Sequence, residues 1–319
     1  MQLKDLNLKY PVFQGGMAHI ATPEFAAAVC NAGALGILGT GAMTADRAAA
    51  AIERLDQLTD KPFGVNIMLM NPQAAEIVDV VCRLKPAVVT FGAGNCGPYI
   101  RKMKEAGILC IPVVSNVALA RRLERAGADA VIAEGTESGG HVGTATTMAL
   151  VPQMKDALHI PVIAAGGIGD GRGMAAAFCL GAWGVQIGTC LLASEECPVH
   201  PRYKEAVIKA KDSSTVVTGT LHNTPVRILK NPMASKYLSM EKAAEDREAM
   251  ERLTLGAFGR AVYEGDMESG SVMMGQIAGL VKKKETVQEI LDRMDAQCRQ
   301  ILKGDQYLEM EFGGAEAGA

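Results

Sequence analysis

Aromatic residues are scarce in this chain, since Phe, Trp and Tyr make up only 4% of its 319 residues. Basic residues are not in excess either, because the formal net charge is -3 and the pI is near 6.0. Nucleic-acid-binding surfaces combine a basic stripe with interleaved aromatic side chains. The composition therefore argues against a nucleic-acid partner and favours small molecules or an acidic carrier protein.

The cysteines form no recognisable metal or redox motif. Eight are present, but no C-x-x-C pair occurs and the histidines lack the spacing of zinc ligands. We interpret most of these cysteines as small buried hydrophobic residues. No metal site is expected.

Targeting and membrane signals are also missing. The amino terminus, Met1 to Asp5, lacks the apolar core of a signal peptide, so a cytoplasmic location is the default expectation. The uncharged stretch 174–193 is long enough for a transmembrane helix. However, Gly181, Gly184 and Gly188 divide it into a helix and a strand, and we therefore expect no membrane span.

Short apolar runs alternate with helical segments through the first two thirds of the chain, which is typical of parallel sheets covered by helices. The runs that we predict as strands lie at residues 11–13, 35–38, 63–67, 88–91, 109–113, 130–133, 161–164 and 184–187. This alternation predicts an α/β fold, a closed (β/α)₈ TIM barrel. A doubly wound open sheet is the alternative, but no G-x-G-x-x-G opens the first helix.

The β/α rhythm ends near Cys197. The following region contains one helical pattern, a stretch that reads as strand or coil, and charged helices from Ser239 to Arg252 and beyond. Small apolar residues then return before a final helix at 286–302. The predicted division is a cofactor-binding barrel over 1–197, a smaller, mainly helical substrate-side domain over 198–268, a segment over 269–311 that packs back on the barrel, and a disordered tail over 312–319.

Polar and small residues follow the predicted sixth strand, from Glu134 to Gly143. Glycine can adopt positive φ and lets a flat ligand approach the backbone closely. His141 is therefore the candidate for acid–base chemistry, although it could instead only hydrogen-bond a cofactor or a loop carbonyl. Glu134 could bind a cofactor hydroxyl or a cation, or anchor the loop. We assign it to the cofactor and leave Glu137 unassigned.

Glycine-rich loops follow the seventh and eighth predicted strands. Ala165, Gly166 and Gly167 come after the seventh, and Gly188 and Thr189 after the eighth. In (β/α)₈ enzymes these loops commonly hold a phosphate with backbone N–H groups. Tight turns alone are the alternative interpretation.

Other strand ends offer contacts to a planar ring. Gly16, Met17 and Ala18 follow the first strand, and Asn66 ends the third. Exposed backbone, a thioether and an amide suit the face and edges of a heterocycle. Together with the phosphate loops, they favour flavin mononucleotide (FMN) as cofactor.

Seven stretches carry a more specific resemblance, at residues 14–18, 61–68, 111–114, 127–135, 139–141, 161–168 and 275–281. In this order they resemble the FMN-dependent enoyl-acyl-carrier-protein (enoyl-ACP) reductase II family, within the nitronate monooxygenase-like flavoproteins. The resemblance extends from Leu8 to about Met294.

The resemblance implies the reduction of trans-2-enoyl-ACP by NADH or NADPH in bacterial fatty-acid elongation, with acyl carrier protein as partner. It assigns His141 as the active-site histidine. It places these positions around FMN: Gly16, Met17, Ala18, Asn66, Glu134, Ala165, Gly166, Gly167, Gly188, Thr189, Met274, Gly275, Gln276 and Gly279. The oligomeric state stays open, with a homodimer as one candidate.

Nitronate monooxygenases are the main alternative, because they share the barrel, the flavin and a Gly-Gly-His stretch. Their first loop more often has Ala-Pro-Met where this chain has Gly15, Gly16 and Met17, and the 275–281 ending resembles the reductases more. His19 and Cys190 depart from the expected pattern. A non-catalytic flavin- or phosphate-binding protein is a further alternative.

A docking surface for an acidic carrier would need basic residues near the site. Arg227, Lys230 and Lys236 in the substrate-side region, and the run 282–284, are the candidates. Ordinary solvated surface is the competing interpretation of each.

Overall fold

The core of the molecule is a parallel barrel, seen in a computed structural model that describes residues 2–304. The predicted tail, 312–319, lies outside the described residues. The strands are β1 (Val12–Gln14), β2 (Ile37–Gly39), β3 (Gly64–Met68), β4 (Val88–Gly92), β5 (Leu109–Val114), β6 (Val131–Glu134), β7 (Gly140–His141), β8 (Val162–Ala165), β9 (Gly184–Ile187), β10 (Thr215–Thr218) and β11 (Val226–Leu229).

Helices connect and cover these strands. They are α1 (Pro23–Asn31), α2 (Ala45–Leu58), α3 (Ala74–Leu84), α4 (Gly97–Glu105), α5 (Val117–Arg125), α6 (Thr147–Ala157), α7 (Gly171–Cys179), α8 (Pro201–Lys209), α9 (Pro232–Lys242), α10 (Arg247–Thr254), α11 (Ala257–Gly259) and α12 (Val287–Leu302). Short 3₁₀ turns occupy Leu3–Leu6, Thr189–Leu191 and Gln276–Leu280, and a π-helical turn spans Arg260–Glu264.

The barrel is closed by its first two strands. Eight strands run in the order β1-β9-β8-β6-β5-β4-β3-β2, and every pairing between them is parallel. A parallel bridge between Phe13 and Leu35 joins the two ends of this order. The predicted (β/α)₈ barrel is therefore confirmed. Strand β9 and helix α7 divide the uncharged stretch 174–193 as predicted, and no helix within residues 2–304 is long and apolar enough to cross a membrane.

Apolar side chains fill the amino-terminal half of the barrel. Phe13, Ile37, Ile132 and Ile163 form one buried cluster inside it, and none of them exposes any surface. Leu3 and Leu6 join that cluster. The first 3₁₀ turn thus covers the amino ends of the strands, and the opposite end is left for a ligand.

The small domain contains a β-hairpin as well as helices. Strands β10 and β11 pair antiparallel, and β11 also pairs with β7, which follows the sixth barrel strand. Charged helices, α9 and α10, cover most of the predicted range from Ser239 to Arg252, but α9 begins earlier, at Pro232. Asn231 caps that helix by accepting a hydrogen bond from the Ala234 N–H at 2.8 Å, which is an ordinary helix-start signal.

Helix α12 returns the chain to the barrel by packing on α7. A capping box of Thr286 and Glu289 fixes its start. Gly171 lies at the contact, where an added Cβ would be 2.5 Å from the Met294 carbonyl oxygen and 2.6 Å from the Cys298 nitrogen. The absence of a side chain at Gly171 is what allows the two helices to approach so closely.

Substituting Gly171→Ala is expected to lower the free energy of unfolding by about 1–3 kcal/mol, because the methyl group overlaps the backbone of α12. This outcome opposes intrinsic helix propensity, which favours alanine over glycine by about 1 kcal/mol. Gly259→Ala is the matched control, since a Cβ there meets nothing closer than 3.8 Å. Urea unfolding would measure both variants, and a Gly171→Ala protein as stable as Gly259→Ala would contradict the proposed contact.

Candidate functional site

A cavity of about 550 Å³ opens at the carboxyl ends of the barrel strands. Residues at or just beyond the end of every barrel strand contribute to its wall, and Phe258, Met273, Gly275 and Ile277 close it from the carboxyl-terminal third. Its size and position are those of small-molecule sites in (β/α)₈ proteins.

Most of the predicted site residues lie together in this cavity. Those on its wall are Gly16, Met17, Ala18, Asn66, Glu134, His141, Ala165, Gly166, Gly167, Gly188, Thr189 and Gly275. Loops separated by more than 250 residues along the chain therefore meet at one site.

Met274, Gln276 and Gly279, which we also predicted around the cofactor, are not among the residues that line this cavity. The Met274 side chain is fully buried in the core, and that of Gln276 is exposed. The Gln276 N–H donates to the Glu137 carbonyl at 2.9 Å. Gly279 faces the backbone of Asp212, because an added Cβ would lie 3.1 Å from its nitrogen. These residues thus lie outside the cavity and support its wall.

The loops after β8 and β9 have the shape of a phosphate cradle. Gly166 and Gly167 have φ values of +89° and +73°, a region that favours glycine. A Cβ on Gly166 would also lie 2.9 Å from the Gly135 carbonyl oxygen. Gly188 precedes the short 3₁₀ turn that starts at Thr189. Bare backbone around this end of the cavity fits the phosphate of a nucleotide cofactor.

Gly16 and Asn66 meet at the cavity wall, near the ends of β1 and β3. A Cβ on Gly16 would lie 2.3 Å from the Asn66 Cβ, so only glycine fits. The Asn66 amide donates to the Thr90 hydroxyl at 2.9 Å. That hydrogen bond fixes the orientation of the buried amide and leaves its oxygen as an acceptor for a ligand.

The segment Glu134–Gly143 is held from several directions. The Thr136 N–H donates to the Ala145 carbonyl at 2.8 Å. The Glu137 carboxylate accepts from the Thr147 N–H at 2.9 Å and from its hydroxyl at 3.0 Å, at the first residue of α6. Glu137, which we left unassigned, therefore anchors the segment and caps a helix.

Glu134 is a carboxyl group inside the cavity with a raised pKa. Burial raises that pKa from 4.5 to about 7, and the nearby Ser138 hydroxyl opposes the shift by a smaller amount. The Ser138 hydroxyl has no hydrogen-bond partner of ordinary geometry among the described residues. Glu134 and Ser138 are thus two polar groups available to a ligand hydroxyl.

His141 is presented to the cavity by the two-residue strand β7. Its side chain remains exposed, and partial burial lowers its pKa below 6.5. The neutral imidazole is therefore the main form at neutral pH, and it carries one N–H donor.

His19, Phe258 and Met273 also line the cavity, although we did not predict them as site residues. His19 has a left-handed φ of +62°, its Nδ1 lies 3.1 Å from the Tyr263 hydroxyl, and its ring packs edge-on against Phe258 at 5.4 Å. His19 could have been inferred because it directly follows Gly16 to Ala18. Phe258 could not be inferred from the sequence, because its position at the cavity depends on how the carboxyl-terminal third of the chain packs on the barrel.

Of the basic residues considered for carrier docking, only Arg227 is buried. Arg227 is only 7% exposed. Lys283 forms an ion pair with Glu285 at 3.1 Å, and Lys284 forms one with Glu195 at 3.8 Å. Lys230 is exposed. Lys236 is exposed as well. The burial of Arg227 agrees with neither carrier docking nor solvated surface, the two interpretations that we considered for it. Cys190 is also buried, away from the cavity, and burial raises its pKa to about 12.

The fold and the cavity together define a (β/α)₈-barrel protein with a nucleotide-sized ligand site at the carboxyl ends of its strands. Residues 1–83 and 76–296 match the model of the nitronate monooxygenase family. The chain belongs to this family and is therefore a flavoprotein oxidoreductase.

Individual relatives differ in their named activities. FabK from Thermotoga maritima is 50% identical, with a TM-score of 0.93 over 96% of this chain and 98% of its own. A probable nitronate monooxygenase of Staphylococcus saprophyticus is 35% identical over 87% of this chain and 91% of its own. A hydroxy-methyl-oxo-octahydroindene-carboxyl-CoA dehydrogenase of Mycobacterium tuberculosis is 40% identical over 75% of this chain and 68% of its own.

The raised pKa of Glu134 predicts a pH dependence of stability in the flavin-free protein. Between pH 4.5 and about 7 the folded state keeps a proton that the unfolded chain has released. Stability should therefore fall as the pH rises through this window, by up to roughly 3 kcal/mol. Glu134→Gln removes this component alone. Urea unfolding of both proteins across the window measures it, and a pH-independent difference between them would refute the assignment.

Proposed function

We propose that the protein reduces the trans-2 double bond of enoyl-ACP thioesters, with bound FMN and with NADH or NADPH as reductant, in bacterial fatty-acid elongation in the cytoplasm. The likeness to FabK carries this proposal, because 50% identity extends over 96% of the chain. The cavity supports it by combining a glycine cradle with His141 on one wall.

The residues present fit FMN. Gly166, Gly167 and Gly188 would offer backbone N–H groups to its phosphate. Gly16 and Asn66 would contact the ring system, and Glu134 with Ser138 would hydrogen-bond its ribityl hydroxyls. When bound, FMN carries a hydride equivalent from the nicotinamide to the β-carbon of the enoyl group.

His141 would act on the other end of the enoyl thioester. Negative charge develops on the thioester oxygen as hydride arrives at the β-carbon, and a proton must then reach the α-carbon. The neutral imidazole can donate a hydrogen bond to that oxygen, and its protonated form can deliver the proton. The lowered pKa makes the hydrogen-bond donor the main form at neutral pH.

Nitronate oxidation is the second candidate, because the family model and the Staphylococcus relative both carry that name. Anaerobic reduction of the flavin by NADH or NADPH, followed by addition of crotonyl-ACP, separates the two. We expect the flavin absorbance to return at once. If crotonyl-ACP leaves the flavin reduced, and the oxidised enzyme instead consumes an alkyl nitronate together with oxygen, the second function is selected.

Substituting His141→Ala should slow flavin reoxidation by crotonyl-ACP by about a hundredfold or more, because the thioester loses its donor. Flavin reduction by the nicotinamide should change little, since it does not need this proton. His159→Ala is the control, because His159 lies on the exposed surface. Stopped-flow absorbance measures each half-reaction separately, and small, equal effects on both would exclude a catalytic role for His141.

A further inference from the structure

Arg227 is a buried cation that the proposed chemistry does not use. It lies in β11, the central strand of the small sheet, and is 7% exposed. Its guanidinium donates from Nε to the Thr136 carbonyl at 3.0 Å and from Nη1 to the Thr215 hydroxyl at 3.2 Å. Both of these hydrogen-bond partners are uncharged, although a buried charge is costly unless it is paired or hydrogen-bonded.

The strand register places this arginine directly beside the active-site histidine's strand. Arg227 is opposite Gly140, and Val226 is opposite His141. The Val142 N–H extends the pairing by donating to the Pro225 carbonyl at 3.1 Å. The backbone on both sides of His141 is thus held by β11.

The Arg227 side chain adds a second hold on the same segment. Its hydrogen bond to Thr136 reaches the segment five residues before His141 and one residue before Glu137. Glu137 is fixed to the start of α6 in the barrel. Its charge also acts on Arg227, where burial lowers the guanidinium pKa and Glu137 opposes that shift. The segment is therefore clamped between the barrel and the hairpin.

We propose that Arg227 is a positioning residue, which fixes the Glu134–Gly143 segment and so holds His141 in its working orientation. This inference rests on the proposed function, in which His141 serves the enoyl half-reaction. Arg227 acts through the segment backbone and does not itself line the cavity.

The test is a double-mutant cycle with Arg227→Met and His141→Ala. Arg227→Met should slow flavin reoxidation by crotonyl-ACP by about tenfold or more, since small misplacements of a catalytic group are costly. Flavin reduction by the nicotinamide should stay within about twofold of wild type on the same argument. In the double variant, loss of Arg227 should add almost nothing to the loss of His141, because its effect passes through that residue. If the fold-decreases in rate from the two substitutions instead multiplied in the double variant, the inference would be overturned.

Three further variants guard against a general folding defect. Thr215→Val keeps the arginine but removes one of its partners, and it should give a smaller loss in the same half-reaction. Arg227→Lys keeps the positive charge but not the planar guanidinium, and its rate should lie between those of Arg227→Met and wild type. Arg252→Met removes an exposed arginine that pairs with Glu248 at 2.8 Å, and it should change neither half-reaction.

Imidazole NMR signals test the same inference without enoyl turnover. Spectra of ¹⁵N-histidine protein, with His141 assigned from the His141→Ala variant, should show the His141 signal displaced in Arg227→Met and unchanged in Arg252→Met. If wild type fails to reduce crotonyl-ACP, the proposed function falls while this measurement still decides the role of Arg227. An undisplaced His141 signal in Arg227→Met would overturn the inference.

Discussion

The site depends on close backbone contact around the Glu134–Gly143 segment. An added Cβ would lie 2.1 Å from the Thr147 hydroxyl at Gly135, 2.7 Å from the Met274 carbonyl carbon at Gly139, and 2.5 Å from the Ser115 Cβ at Gly143. The lack of side chains at these three glycines therefore lets the segment pass between α6, the 3₁₀ turn after Gly275 and the end of β5. Such contact fixes His141 without the bulk that would fill the cavity, since side chains at these glycines would force the walls apart.

Two parts of the cavity wall present different kinds of polar groups, backbone in one and side chains in the other. In the loops after β8 and β9, positive φ at Gly166 and Gly167 exposes backbone, and the Thr189 hydroxyl accepts a hydrogen bond from the Gly275 N–H at 2.8 Å. Near the ends of β1 and β3 the wall presents a side chain instead. The Asn66 amide is held in orientation by its hydrogen bond to the Thr90 hydroxyl. Backbone donors suit an anion of fixed shape, whereas oriented side chains discriminate between ring edges. This division matches the two parts of a nucleotide cofactor, which has an anionic phosphate and a planar ring system.

The barrel and most of the site could be predicted from the sequence because both follow local patterns. Apolar runs and glycine-rich strand ends repeat at each β/α unit, so residues such as Asn66 and Gly166 could be placed at one mouth. Strand β7 could not be predicted, because two residues carry no periodicity and their partner, β11, lies 85 positions further along. Burial of Arg227 follows from that same pairing, and its charge alone suggested a surface residue. The hydrogen bond from the Gln276 N–H to the Glu137 carbonyl could not be predicted for a similar reason, since only the fold brings these two residues together.

The pairing of β7 with β11 also bears on how such a protein could change its substrate. By chain position His141 belongs to the barrel, but by hydrogen bonding its strand belongs to the sheet of the small domain. A boundary drawn at residue 197 therefore cuts through a single three-stranded sheet. Exchange of the small domain between family members would leave β7 with a foreign partner strand unless residues 134–143 were exchanged with it. Residues 134–143 and the β10–β11 hairpin thus form one structural unit, and divergence in one constrains divergence in the other.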